Sequence, residues 1–151
     1  MNPDHGIDLT VQAKGRSSAL AESLGLRTRE MISLVGAGGK TTLMFRLARE
    51  LVDQGRSVVT TTTTRILEPS PEESPCLFVN SEDGKIEQFI GKHLGSHRHI
   101  TTARERIESK KLKGVSPDFA DGLWDKAQME YLIIEADGAA GYPVKAPREG
   151  E

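Results

Sequence analysis

Gly36-Ala37-Gly38-Gly39-Lys40-Thr41-Thr42 is the segment whose residue types and spacing most directly imply chemistry. Glycine at three of its first four positions lets backbone N–H groups turn toward an anion without Cβ clashes. Lys40 adds a mobile positive charge suited to β- and γ-phosphates, and the hydroxyl of Thr41 can ligate Mg²⁺. A short apolar run, Met31-Ile32-Ser33-Leu34-Val35, precedes the segment. A helical pattern follows from Thr41 to Gln54, with Leu43, Leu47 and Leu51 at four-residue spacing and Gly55 where a left-handed residue ends a helix. Strand, glycine-rich turn and helix in that order are the context of a phosphate-binding turn, because the helix also points its positive end at the anion. Residues 36–42 are therefore expected to bind a nucleoside triphosphate, ATP or another, with Mg²⁺.

Such a site needs an acid on a neighbouring strand. Tyr131-Leu132-Ile133-Ile134 reads as a buried strand and is followed by Glu135-Ala136-Asp137. Side chains alternate along a strand, so Glu135 and Asp137 share a face if the strand runs that far. One can serve Mg²⁺ while the other orients an attacking water. Both are kept as catalytic and metal candidates beside Lys40 and Thr41. Thr60 to Thr64, at the end of a Val- and Thr-rich strand over Ser57–Thr63, offers hydroxyls on the same rim. Arg65 follows and offers a contact for anionic charge. Lys145, stiffened by Pro143 and Pro147, and Arg148 are candidates for stabilising phosphate charge, Lys145 the better of the two.

Other residues carry weaker signals. His97 and His99 would share a strand face as a metal pair, but with no third ligand evident they are expected to be surface histidines. Cys76 opens an apolar run and is expected in the core. Phe119 and Trp124 are expected to pack on a helix face rather than form a stacking platform.

The elements that must position these groups follow from pattern. Ser17 or Ser18 caps a short helix carrying Leu20 and Leu24, ended by Gly25. Cys76 to Val79 is a buried strand, and Ile86, Phe89, Ile90 and Leu94 mark a helix that Gly95 ends. Arg98 to Thr102 is a strand, and Arg104 to Lys113, being highly charged, reads as exposed connection. Ser116-Pro117-Asp118 starts a capped helix with Phe119, Leu123 and Ala127 on its apolar face. Strands alternating with helices indicate an α/β fold, a mostly parallel sheet covered by helices on both faces, in three layers. The 151 residues allow one domain, expected over residues 17–151 behind a loose lead at 1–16.

Composition narrows the function. Twenty basic against 22 acidic residues leave a net charge of -2, which argues against a broad basic face for nucleic acid. A single Cys excludes a disulfide framework and an all-Cys zinc site. No apolar run approaches a membrane span, and no secretory leader is visible, so a cytoplasmic protein is expected.

The turn departs from the common G-x-x-x-x-G-K-[ST] pattern, which would place Gly at position 34, where Leu34 stands. It resembles instead the G-G-x-G-K-T-T variant of the P-loop class of MinD-like and nitrogenase iron-protein-like ATPases, with Ala37 at the second Gly and Val35 at the signature Lys. Together with Val59-Thr60-Thr61-Thr62-Thr63, Lys113-Gly114-Val115-Ser116-Pro117, Glu135-Ala136-Asp137-Gly138-Ala139-Ala140-Gly141 and Lys145-Ala146-Pro147, the chain resembles the YqeC family over roughly residues 17–151. Members are described as accessory proteins of selenium-dependent molybdenum hydroxylases or as selenium cofactor biosynthesis proteins. The resemblance implies a P-loop NTPase-like fold and a role in maturing the active site of such a hydroxylase, with that enzyme or its maturation factors as partners. Family members usually run on past Lys145-Ala146-Pro147, whereas this chain stops at Glu151, so the resemblance implies a truncated form or a fragment.

Three modes of action are compatible with these residues: hydrolysis of the triphosphate, delivery of a bound nucleotide or cofactor phosphate without hydrolysis, and phosphoryl transfer to a small molecule. The third needs an acceptor site, and no such site is readable in the sequence. The Asn-Lys-x-Asp element that reads guanine is absent.

Overall fold

A computed structural model describes residues 19–136. Ser17, Ser18, Asp137, the 138–141 loop, Lys145 and Arg148 lie outside the described residues.

The order of elements is α1 (Ala19–Ser23), β1 (Glu30–Leu34), α2 (Lys40–Asp53), β2 (Val58–Thr62), β3 (Arg65–Leu67), β4 (Leu77–Val79), α3 (Asp83–His97), β5 (His99–Ala103), β6 (Glu105–Ile107), β7 (Lys111–Lys113), α4 (Pro117–Lys126) and β8 (Tyr131–Glu135). Five strands form a parallel sheet in the order β1-β8-β2-β5-β4. The strands that alternate with helices thus pair in parallel, as crossover connections require. The central strands β8, β2 and β5 are buried at every position, which is why they read as continuous runs of apolar residues and threonine. β1, at one edge, is half-exposed in alternation, with Met31 39% exposed, and Val35 just beyond it is 69% exposed.

Two clusters of buried side chains sandwich the sheet. On one face α2 lays Met44, Leu47, Ala48 and Leu51 against Val58, Tyr131 and Ile133. On the other, Ile86, Ile90 and Leu94 of α3 and Phe119 and Leu123 of α4 cover Val59, Ile100, Leu132 and Ile134. This is the expected three-layer α/β arrangement. Each such side chain contributes about 1.5–3 kcal/mol when fully buried, so the strand centres are the most firmly held part of the molecule. The Glu50 carboxylate of α2 accepts the N–H groups of Leu20 at 3.1 Å and Ala21 at 2.8 Å, fixing α1 beside it.

Three expectations fail. The 104–113 segment is not mere connection: β6 and β7 pair antiparallel, and β3 joins β7, making a second, three-stranded sheet in the order β3-β7-β6. Only Ile66 and Leu112 point inward there, so the inward-outward alternation spans three residues per strand and is swamped by charge. α3 does not stop at Gly95 but runs to His97, because Arg98 takes a left-handed conformation (φ 61°) and its N–H closes onto the Leu94 carbonyl at 2.9 Å. His99 is not a surface residue. It is 2% exposed on β5, while His97 ends α3, so the two share no strand face.

Beneath α2, His99 Nε2 contacts Thr60 Oγ1 at 3.0 Å. Thr60 Oγ1 meets Thr101 Oγ1 at 2.7 Å, which donates to Ser74 Oγ at 2.7 Å, and Ser74 donates to the Cys76 carbonyl at 3.2 Å. Burial pushes the His99 imidazole down to about 4, so it is neutral at pH 7. Cys76 is half-buried, its thiol pushed up by burial. Phe119 is buried in the core as expected, while Trp124 is half-buried under the Arg29 guanidinium, 3.8 Å above its ring.

Candidate functional site

The glycine-rich turn leaves the C-terminal end of β1 and enters α2 at Lys40. Gly36 (φ 121°) and Gly39 (φ 71°) occupy the left-handed region, where a side chain would be strained. Gly39 is also the N-cap of α2, and among the described residues no side chain caps the first N–H groups of this helix. A Cβ built at Gly36, Gly38 or Gly39 meets nothing within 4 Å among the described residues. No side chain among these residues plugs the front of the turn.

Lys40 is 8% exposed and its Nζ donates to the Gly36 carbonyl, folding the ammonium back over the turn. Thr41 Oγ1 donates to Glu135 Oε2 at 2.6 Å. Glu135 ends β8, next to β1 in the sheet, with Leu34 as its register partner. Strand pairing thus brings together the first turn of α2 and an acid 94 residues away in sequence. Glu135 is 7% exposed; an ionised carboxylate in such a place needs donors or a cation, and Thr41 is the donor supplied. Ala37 is half-buried and Thr42 exposed.

The Thr run divides by burial. Thr60, Thr61 and Thr62 are fully buried and spend their hydroxyls inside the sheet: Thr61 on the Thr102 carbonyl at 2.9 Å, and Thr62 on the Glu135 carbonyl at 2.8 Å. Thr63 and Thr64 instead open onto a cleft of about 1390 Å³, which Arg65 also lines. Arg65 therefore sits on β3 in that cleft, whose lining includes no residue of the 36–42 turn. Sequence reasoning located the turn and Glu135 but missed the cleft. One of its other walls, around Arg104, Arg106 and Lys113, comes from the segment taken for a connection. No group of three or more His, Cys, Asp or Glu side chains able to hold a metal occurs among the described residues, and no helix among them is long and apolar enough to cross a membrane.

Fold and site together define a three-layer α/β protein with an open glycine-rich turn between an edge strand and a helix, and an acid on the adjoining strand. A family profile described as YqeC protein matches residues 32–151. The chain is also 36% identical over 135 residues to "Uncharacterized protein YqeC" of Escherichia coli (strain K12), a match covering 89% of this chain and 51% of that relative. The chain belongs to the YqeC family and spans about half the length of that curated relative. No solved structure matches it.

Proposed function

We propose that the chain binds a nucleoside triphosphate with Mg²⁺ at Gly36–Thr42, cleaves its β,γ bond with water, and thereby serves the maturation of a selenium-dependent molybdenum hydroxylase. The observation that carries the nucleotide reading is the contact between Thr41 Oγ1 and Glu135 Oε2 at 2.6 Å, beside an open turn with two left-handed glycines. A hydroxyl and a carboxylate so placed are an all-oxygen donor set, the kind Mg²⁺ prefers. Bound there, Mg²⁺ would neutralise phosphate charge. Lys40 exchanges the Gly36 carbonyl for the terminal phosphates, and the uncapped N-terminus of α2 receives the remaining negative charge. Asp137 is assigned the orientation of water and Lys145 the stabilisation of developing charge. The hydroxylase role rests on the family resemblance, with that enzyme or its maturation factors as partners.

Calorimetry with a panel of nucleotides, with and without Mg²⁺, tests the reading. Lys40→Ala should weaken triphosphate binding by about 100-fold, the size of one or two lost charge-assisted hydrogen bonds, while the far-UV spectrum stays native. Unchanged affinity removes Lys40 from the site. Single-turnover phosphate release then decides the chemistry: tight binding without release makes the chain a delivery module that hands its nucleotide or cofactor phosphate to a partner.

A further inference from the structure

The cleft beside the turn is built from four separate stretches of chain. Thr63, Thr64 and Arg65 follow β2; Val79 to Ser81 close β4; Arg104 to Arg106 lead into β6; and Lys113 to Pro117 run from the end of β7 into α4. Its position is the one where α/β sheets bind ligands, beyond the carboxyl ends of parallel strands, here β2, β4 and β5.

Its charge is one-sided. Among the described residues, four cationic side chains line it, Arg65, Arg104, Arg106 and Lys113, against one carboxylate, Glu105. Two of the four are partly engaged, Arg104 with Asp83 at 3.4 Å and Arg106 with Glu68 at 3.1 Å. Arg65 and Lys113 form no ion pair and no side-chain hydrogen bond among the described residues. They are register partners across the antiparallel β3–β7 ladder, so they leave the same face of the sheet with Cβ atoms about 5 Å apart. Like charges directly opposed in a ladder repel. Glu105 is the register partner of Lys113 on its other flank, yet no ion pair forms between them. Two free cations held side by side at the mouth of a cavity match an oxyanion.

The wall is rigid. A Cβ at Gly114 would lie 1.8 Å from the Thr62 carbonyl oxygen, so the chain leaving β7 presses directly on β2. Gly114 N–H reaches the Thr64 carbonyl at 2.9 Å and Val115 N–H the Thr62 carbonyl at 2.8 Å. Thr63 N–H in turn donates to the Glu135 carbonyl at 3.1 Å. Cleft and acid therefore hang on one strand end. Since β1, β8 and β2 are consecutive in the sheet, the cleft's near wall stands two strand spacings, about 10 Å, from the strand that carries the turn.

We infer that this cleft binds a second, anionic small molecule, carrying a phosphate or carboxylate group that Arg65 and Lys113 grip, and presents it to the nucleotide site. Its presentation to a nucleotide rests on the nucleotide reading, whereas the anion site itself does not.

The test is a titration of the ¹⁵N-labelled full chain, at fixed ionic strength, with inorganic phosphate, with citrate and separately with Mg-ATP. The amides of Thr64, Gly114 and Val115 report on the cleft, and those of Gly38 to Thr42 on the turn. Saturable cleft shifts with phosphate or citrate are expected, the stronger of the two naming the group preferred. In Arg65→Gln/Lys113→Gln the midpoint should rise by roughly tenfold or more, with the rest of the spectrum unmoved. Cleft amides that do not move with either anion, or that move equally in the double variant, overturn the inference. A turn unmoved by Mg-ATP with a responding cleft overturns the nucleotide reading and leaves the anion site standing.

Discussion

The turn and the cleft handle charge in opposite ways. At the turn Lys40 and Thr41 have internal partners, the Gly36 carbonyl and Glu135, while Thr42 is exposed. The anion receptors left over are backbone N–H groups. In the cleft the backbone is spent on packing, Gly114 and Val115 against the end of β2, while the side chains of Arg65 and Lys113 stand open. The first region is contiguous in sequence and opens without large rearrangement by trading one hydrogen bond for another. The second exists only when four distant stretches meet. Damage to packing at the end of β2 should therefore strike the cleft and spare the turn.

The largest expected effect separates the two regions. Gly114→Ala forces a Cβ into the Thr62 carbonyl, and should cost about 3 kcal/mol, the upper end for overpacking. Urea unfolding measures it. Phosphate shifts in the cleft should vanish while Lys40-dependent nucleotide binding persists; loss of both in a folded variant would show one cooperative site rather than two.

Next comes the floor beneath α2. His99 has its folded pKa depressed to about 4 from 6.5, so between those values the unfolded chain binds the extra proton. Stability should be full above pH 6.5, fall as pH drops through this window, and level off below about 4. The total is about 3 kcal/mol at 1.36 kcal/mol per unit. His99→Gln, which cannot titrate, should flatten that part of the pH profile of the urea midpoint. A slope that survives the substitution assigns the titration elsewhere. The smallest effect is at the cleft's far wall, where Ser116 Oγ accepts the Phe119 N–H at 3.2 Å. Ser116→Ala should cost about 1 kcal/mol, read as a lowered unfolding midpoint, with the turn's affinity unchanged.

The same contrast governs what the sequence could reveal. β8, α2 and the turn between β1 and α2 are long or strongly patterned, and local rules placed Gly36–Thr42 and Glu135 with nothing else needed. β3, β6 and β7 have three residues each, too few for alternation to rise above their charges, so the second sheet and the cleft stayed hidden. Arg65 stood out as a cation on the rim, but its partner Lys113 is 48 positions on, and only the ladder joins them. Gly95 looked like a helix stop because glycine usually is one; Arg98 took that position instead, its guanidinium anchored on the Gly55 carbonyl at 2.9 Å. His99 sat among charged and polar neighbours in sequence, and nothing local signals that β5 runs through the middle of the sheet. The cleft's one legible trace is Lys113-Gly114-Val115-Ser116-Pro117, where a glycine stands because another strand's carbonyl leaves no room for anything larger.

The relay of hydroxyls under α2 has a direction. A peptide carbonyl can only accept, so Ser74 must give its one proton to Cys76 and take one from Thr101, which must take one from Thr60. Thr60 is left needing a proton from the ring, and His99 is thereby committed to the Nε2–H tautomer. One main-chain oxygen near the sheet's edge thus dictates the proton position on a buried imidazole of the neighbouring strand, three side chains away.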